Sequence, residues 1–198
     1  MAPSIHIRDA LQDFYRSYHL KADGGIDDAS AKVEIVKGFN VYIPNTDARR
    51  KVLVTHDIHH LLTGYPAVMK GELQISSWEI STGCMHNWVA FVLNYFGMLM
   101  GVITFPRSCW KAFLRGKVSK NLYREDHTLD ELMEMEVDAL RKYLGLSELK
   151  EIGPGTRMMT ALKFVGFLLT GPVAAVIALA ALPFLLVYSI YQSLTIPK

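Results

Sequence analysis

Three of the seven histidines fall within five positions, in the stretch VTHDIHHLLTGYPAVMKGEL that covers residues 54–73. His56 and His60 are four apart, so on a helix their imidazoles lie on one face and can converge on one ion. Asp57 stands beside His56, and Glu72 follows His60 by twelve residues. Neutral imidazole and carboxylate make a donor set suited to a divalent metal, Zn first, with Fe, Co or Mn as alternatives. The TGYP sequence between them ends one helix and lets a second fold back, which would return Glu72 to the two histidines. Asp57, about 100° round the helix from His56, is either a fourth ligand or a group that orients one. His59 sits about 60° off the axis of the pair and reads as a bystander. Glu79 is two turns beyond Glu72 on one helical face, placed either as a proton donor or base beside a metal-bound group or as a solvated surface glutamate. Arg49 precedes His56 by seven residues and falls on the histidine face, close to a helix N-terminus where the dipole disfavours a cation. The expectation is that it pairs with a substrate carboxylate. A zinc peptidase is a weaker reading: Asp57 is one methylene shorter than the glutamate of an HExxH helix, and Glu72 is close for the usual third ligand.

The elements that must position these residues are helical nearly throughout. IRDALQDFYRSY spaces Ile7, Ala10, Leu11, Phe14 and Tyr18 as one apolar face. KADGGIDDAS reads as a loop, and KGFNVYIPNTDARR as irregular chain in which Asn45, Thr46 or Asp47 caps the histidine helix. A helix over about 67–81 carries Glu72 and Glu79. Residues 88–105 carry no charge, and the pattern favours a buried helix over one that dips into a membrane. Thr128 and Glu131 form a capping box for a helix through LDELMEMEVDALRKYLGL, closed by Gly145. The expected fold class is all-α: one helical domain over 1–150, followed by a membrane-associated segment over 158–198.

Hydrophobic residues make up 51% of the 198 and charged ones 20%, which excludes disorder and leaves an apolar excess to be housed. The tail accounts for it. No charged residue occurs over 164–197, well beyond the ~20 needed to cross a ~30 Å hydrocarbon core. Gly171 and Pro172 divide the run, so the spanning helix is placed at about 172–193 with Pro183 as a kink. Arg157 and Lys163 before it and Lys198 after it lean towards a domain on the cytoplasmic side. A net charge of +2 without a basic, aromatic-interleaved stripe argues against nucleic acid. Cys84 and Cys109 form no CxxC pair, which argues against a disulfide scaffold and for a reducing compartment.

His56, Asp57, His60 and Glu72 together spell HDxxH, eleven residues, E, which resembles the metal-binding signature of the coenzyme Q (ubiquinone) biosynthesis protein 4 family. Gly71 with Glu72, Glu79 seven further on, FLRGK at 113–117, KNLY at 120–123 and LRKYLGL at 140–146 resemble that family in order and spacing, over most of residues 40–146. The tail after residue 157 is outside the pattern. The resemblance implies an all-helical fold, a divalent metal usually described as zinc, a prenyl-lipid ligand and a role in ubiquinone biosynthesis. Its members are described as removing the C1 carboxylate of a polyprenylated hydroxybenzoate, in some accounts with hydroxyl replacing it, and as organising a complex of quinone-biosynthesis enzymes. Phe91, Tyr95, Met98 and Val102 follow one helical face, with Gly97 and Gly101 giving room, and are read either as core or as the wall of a prenyl channel.

Three functions of different class therefore stand. The leading one is a metal-dependent decarboxylase of ubiquinone biosynthesis, attached to the cytoplasmic face of a bacterial inner membrane or the matrix side of an organelle. A non-catalytic prenyl-lipid-binding scaffold of the same pathway is second, and a metallohydrolase third. Expected partners are the prenyl lipid, the membrane, other quinone-biosynthesis enzymes and a second copy of the chain as a homo-oligomer.

Overall fold

The computed structural model describes residues 5–36, 39–148 and 150–195. Among them the protein is all-α apart from one hairpin: α1 (Ile7–Ser17), β1 (Ser30–Val36), β2 (Phe39–Pro44), α2 (Asp47–Thr63), α3 (Met69–Thr82), α4 (Trp88–Thr104), α5 (Pro106–Gly116), α6 (Leu129–Glu134), α7 (Val137–Tyr143), α8 (Pro154–Leu169) and α9 (Gly171–Thr195). Two apolar cores flank α3. One gathers Ile7, Leu11, Ile58, Leu62, Ile75, Trp78 and Leu140 from α1, α2, α3 and α7. The other joins Ile80, Val89, Tyr95, Met98 and Phe113 to Phe164 and Phe167 of α8.

Helix α2 starts where Thr46 accepts the Arg49 N–H, the expected cap for an orphan first-turn donor. It stops at Gly64, in the left-handed conformation (φ 75°) that glycine adopts without penalty. Its last carbonyls are satisfied by arginines from distant segments: Arg115 donates to Thr63 O at 2.7 Å and Arg141 to Leu62 O at 2.9 Å. Cations at a helix C-terminus also oppose the dipole favourably. Asn45, just before the cap, is buried and donates to the carbonyls of Gly25, Ile26 and Asp28. The predicted loop is thereby pinned to the start of α2.

Three expectations are corrected. The segment read as irregular pairs as an antiparallel hairpin, Val33 opposite Val41 and Lys32 opposite Tyr42. The single helix predicted after Thr128 opens with the capping box but breaks at Met135, whose backbone is extended (ψ 148°). There the N-terminal segment takes the backbone groups a helix would use: Ile7 N–H donates to Met135 O and Val137 N–H to Ile5 O, both at 2.9 Å. The 88–105 helix is buried on one side only, with Trp88, Val92, Leu93, Met100 and Ile103 exposed.

At the C-terminal end, one helical stretch is long and apolar enough to cross a membrane, Pro154–Ile177. It begins earlier than the 172–193 read from the sequence, so Arg157 and Lys163 fall within it. Thr170 separates α8 from α9, and Pro183 lies inside α9. Lys198, on which the expected sidedness partly rested, is outside the described residues. Helix α8 is fastened to the rest by aromatic contacts of Phe164 with Phe113 and Trp110. Tyr95 adds a hydroxyl donated to Phe167 O at 2.8 Å. Farther along, Ser189 of α9 accepts the Tyr42 N–H of β2 at 3.0 Å.

The turn that returns α3 to α2 depends on Gly71. A Cβ there would sit 1.8 Å from the carbonyl oxygen of Pro66, a backbone atom that cannot swing aside. Alanine normally favours a helix over glycine by ~1 kcal/mol; here overpacking of about 1–3 kcal/mol wins. Gly71→Ala is expected to lower stability in urea denaturation. Equal or higher stability would show that the turn yields and that the close approach is not a constraint.

Candidate metal centre

The α2–α3 hairpin brings His56, His60 and Glu72 together, and this group could hold a metal ion. His56 Nε2 lies 3.3 Å from one Glu72 oxygen, His60 Nε2 lies 3.2 Å from the other, and the two Nε2 atoms are 3.2 Å apart. The other ring nitrogens fix the tautomers. His60 Nδ1 faces the Tyr65 carbonyl at 2.9 Å and His56 Nδ1 faces Glu79 at 3.1 Å. Both partners only accept, so each Nδ1 carries the proton and each Nε2 turns a lone pair inward. Two lone pairs and a carboxylate so close repel one another unless a positive charge lies between them. A tetrahedral site with bonds of ~2.0 Å has ligand-to-ligand edges of about 3.3 Å; the two imidazole nitrogens have that spacing, and one ligand atom from each of the three residues gives a set within 4.8 Å.

The titration behaviour expresses the same need. Burial opposes a charge on His56, but Glu79 and Glu72 outweigh it and raise its pKa well above the usual imidazole value. Burial likewise opposes the Glu72 charge, yet the two histidines hold its pKa well below the usual carboxylate range. One positive charge is wanted among these three side chains, and a proton or a metal cation can supply it.

Glu79 is fully buried. His59 Nδ1 donates to its Oε1 at 2.6 Å, His56 Nδ1 at 3.1 Å and the Tyr123 hydroxyl at 3.4 Å, while Asn94 donates to Oε2. Burial alone would raise its pKa; the facing histidines bring it below the ordinary range. The surface alternative for Glu79 is thereby set aside. His59 is no bystander: it is buried, receives the Leu122 N–H on Nε2 at 2.9 Å, and so is held as the neutral Nδ1–H tautomer, in line with a pKa that burial lowers. The KNLY segment therefore supplies two contacts to this network, and Asn94, the one amide inside the uncharged 88–105 stretch, supplies a third.

Asp57 is not one of the three-residue group and accepts from Tyr15 at 2.9 Å. Burial, the leading influence, pushes its pKa up to about 6, against the pull of His56 and Tyr15. Gly24, at φ 65°, brings its loop so close that a Cβ would meet the Tyr15 hydroxyl at 2.7 Å and Asp57 Oδ2 at 3.0 Å. Arg49 is half-buried and donates to Asn45 Oδ1 at 2.8 Å. Burial lowers its pKa while Asp57 attracts its charge. Tyr15 and Tyr123 carried no spacing signal, because they reach the site from separate segments.

The candidate lipid face is taken up largely by the protein's own packing, and Tyr95 meets α8 through Phe167 and Thr170. Met98 is fully buried, Tyr95 nearly so, and Phe91 stacks on Tyr95 with ring centroids 5.7 Å apart. Val102 is half-buried. Gly97 and Gly101 do not open room: a Cβ at either would lie 2.3 Å from Ser76 Oγ or 2.4 Å from Cys109 Sγ, so they let neighbouring helices close up. No protein-family model matches the chain, and no curated protein or solved structure matches it either.

Glu79→Ala is expected to leave the His59 N–H, the Asn94 amide and the Tyr123 hydroxyl without their acceptor. At ~1–3 kcal/mol for each buried unsatisfied group, the loss should reach about 3 kcal/mol or more in denaturant melts. Because its pKa is depressed on folding, the carboxylate's contribution is present above the ordinary value of 4.5 and is lost as pH falls below it. An alanine variant as stable as the parent at pH 7 would show that water satisfies these donors.

Proposed function

We propose that the protein is a membrane-attached, metal-dependent carboxy-lyase that removes the C1 carboxylate of a polyprenylated hydroxybenzoate in ubiquinone biosynthesis. The supporting observation is the convergence of His56 Nε2, His60 Nε2 and Glu72, on the same residues that carry the HDxxH-x11-E resemblance. These three would hold a divalent ion, zinc by the resemblance and by donor type. Such an ion supplies Lewis-acid stabilisation of the negative charge that develops as the carboxylate leaves.

The chain's own residues divide the remaining work. Glu79 orients His56 and keeps its proton on Nδ1, as carboxylates beside ligating histidines do; its burial and its donors suit that role better than proton delivery. Asp57 feels the charges of His56, His60 and Glu72, and with a pKa near 6 it can exchange a proton close to neutrality. Decarboxylation breaks the C1–carboxylate bond, releases CO₂ and leaves the electron pair on C1, where one proton must be added. Asp57 is the group assigned to return it, with Tyr15 holding the carboxyl in place. Arg49 is the cation assigned to the substrate carboxylate, at the cost of its bond to Asn45. Replacement of the carboxylate by hydroxyl would instead consume dioxygen and water and release hydrogen peroxide with CO₂, and would call for a redox-active ion such as iron in place of zinc. In this reading the domain would face the cytoplasm or the matrix, beside other quinone-biosynthesis enzymes.

His60→Ala and Glu72→Ala should each lose a bound divalent ion, measured by elemental analysis after dialysis, while keeping the helical circular dichroism of the parent. Binding competes with a second proton at His56 Nε2, which Glu79 and Glu72 favour in the metal-free site, so affinity should rise with pH. Full occupancy in both variants would overturn the site. With a C1-carboxylated prenyl hydroxybenzoate, the metal-loaded parent should release CO₂, and Glu72→Ala should abolish it. Arg49→Ala should weaken capture of the carboxylated head group by ~2 kcal/mol and leave a ligand lacking the carboxylate unaffected. Binding of the prenyl lipid without CO₂ release, both aerobically and anaerobically, would replace the enzyme reading by the scaffold one.

A further inference from the structure

Helix α4 has two unlike sides. Its inner side carries Asn94, bonded to Glu79, and Met98, fully buried. Its outer side carries Trp88, Val92, Leu93, Met100 and Ile103, all exposed, with Ile103 at 83% and Trp88 at 71%. No charged residue occurs anywhere along it. Scattered exposed apolar residues are ordinary, but a continuous uncharged helix face signals a surface that something apolar covers.

The fold says what lies next to it. Helix α8, inside the stretch apolar and long enough to cross a membrane, packs on α5 through Phe164 and meets α4 with its last turn. Tyr95 bonds Phe167 O and Thr170 Oγ1, their rings and those of Phe164 share one core, and Leu99 touches the α8–α9 junction at 3.4 Å from where a Gly171 Cβ would be. Helix α8 exposes Met158, Met159, Leu162, Val165 and Leu169 in turn. The C-terminal end of α8 therefore borders the middle of α4, and hydrocarbon around that end is next to the free side of α4. The ends of α4 fit such a boundary: tryptophan is favoured at the membrane–water interface, and Arg107 and Lys111 of α5 follow at the other end, where cations meet lipid head groups.

We propose that the outer face of α4, from Trp88 to Ile103, is seated in the hydrocarbon of a lipid bilayer alongside α8, as a second membrane contact of the protein. It rests on the membrane attachment proposed above and adds a surface to it. One consequence concerns the metal centre. Leu73 packs against Gly101, so the first turn of α3, with exposed Val68 and Met69 and then Glu72, lies at the Ile103 end of α4. A lipid with its chain in the bilayer and its ring at the surface meets that end first, without an internal channel through Phe91, Tyr95, Met98 and Val102.

The test uses the full chain in phosphatidylcholine–phosphatidylglycerol vesicles. Cys84 and Cys109 are buried, so Ile103→Cys, Val165→Cys and Asp130→Cys each offer one accessible thiol for an environment-sensitive fluorophore. The label at 103 is expected to match that at 165: strong quenching by acyl-brominated lipid, and quenching by aqueous iodide several-fold weaker than at 130. Iodide access at 103 with lipid quenching at 165 would overturn the α4 contact and leave the attachment through α8 intact. Protection of 103 from both quenchers would mean that protein covers the face, and also overturns it. Iodide access at both would remove the membrane attachment as well, while CO₂ release remains a separate measure of the carboxy-lyase reading.

Discussion

An ionised carboxylate removed from water costs several kcal/mol unless donors surround it, and Glu79 meets that condition with donors from α2, α4 and the turn after α5. Each donor fixes something else. His59 is locked as one tautomer because Leu122 N–H claims its other nitrogen. Asn94 ties the apolar α4 to the polar interior. His56 is turned so that its remaining lone pair faces His60 and Glu72. The candidate metal centre thus stands on a network whose members have little freedom to rearrange singly, since moving one leaves a buried polar group unpaired.

A second set of interactions keeps the hairpin of α2 and α3 in register. Arg115 and Arg141 reach in from distant segments to the last carbonyls of α2, and Gly71 allows the turn to close over Pro66. The sequence blocks FLRGK, KNLY and LRKYLGL, remote from the histidines along the chain, converge on this one hairpin. Each block contributes an anchoring contact to the elements that carry His56, His60 and Glu72.

The apolar half of the molecule is continuous with the polar half through α4. Its inner face serves the Glu79 network and its outer face offers a surface with no charge to hold water. In a protein with a helical stretch apolar enough to cross a bilayer, α4 stands between the Glu79 network and the free apolar face.

The pairing of His56, His60 and Glu72 was legible in the sequence, because i, i+4 spacing and a breaking TGYP turn act through local geometry. The helices at about 7–18, through the histidines, over 67–81 and over 88–105, a cap among Asn45, Thr46 and Asp47, the Thr128–Glu131 box and the apolar tail were legible for the same reason, while α5 was not read. The β hairpin was not, since its pairing is decided between strands, and neither was the break at Met135, which depends on Ile5 and Ile7 supplying backbone partners from the far end of the chain. His59 looked like a bystander because its angle on the helix says nothing of Leu122 N–H or of Glu79. For Asp57, read as either a fourth ligand or a group that orients one, the contact with Tyr15 was not legible, because only tertiary packing brings Tyr15 to it. Spacing along one helix fixes which side chains share a face; which of them meet a metal, a carboxylate or a hydroxyl depends on segments far away in sequence, and those contacts exist only once the chain is packed.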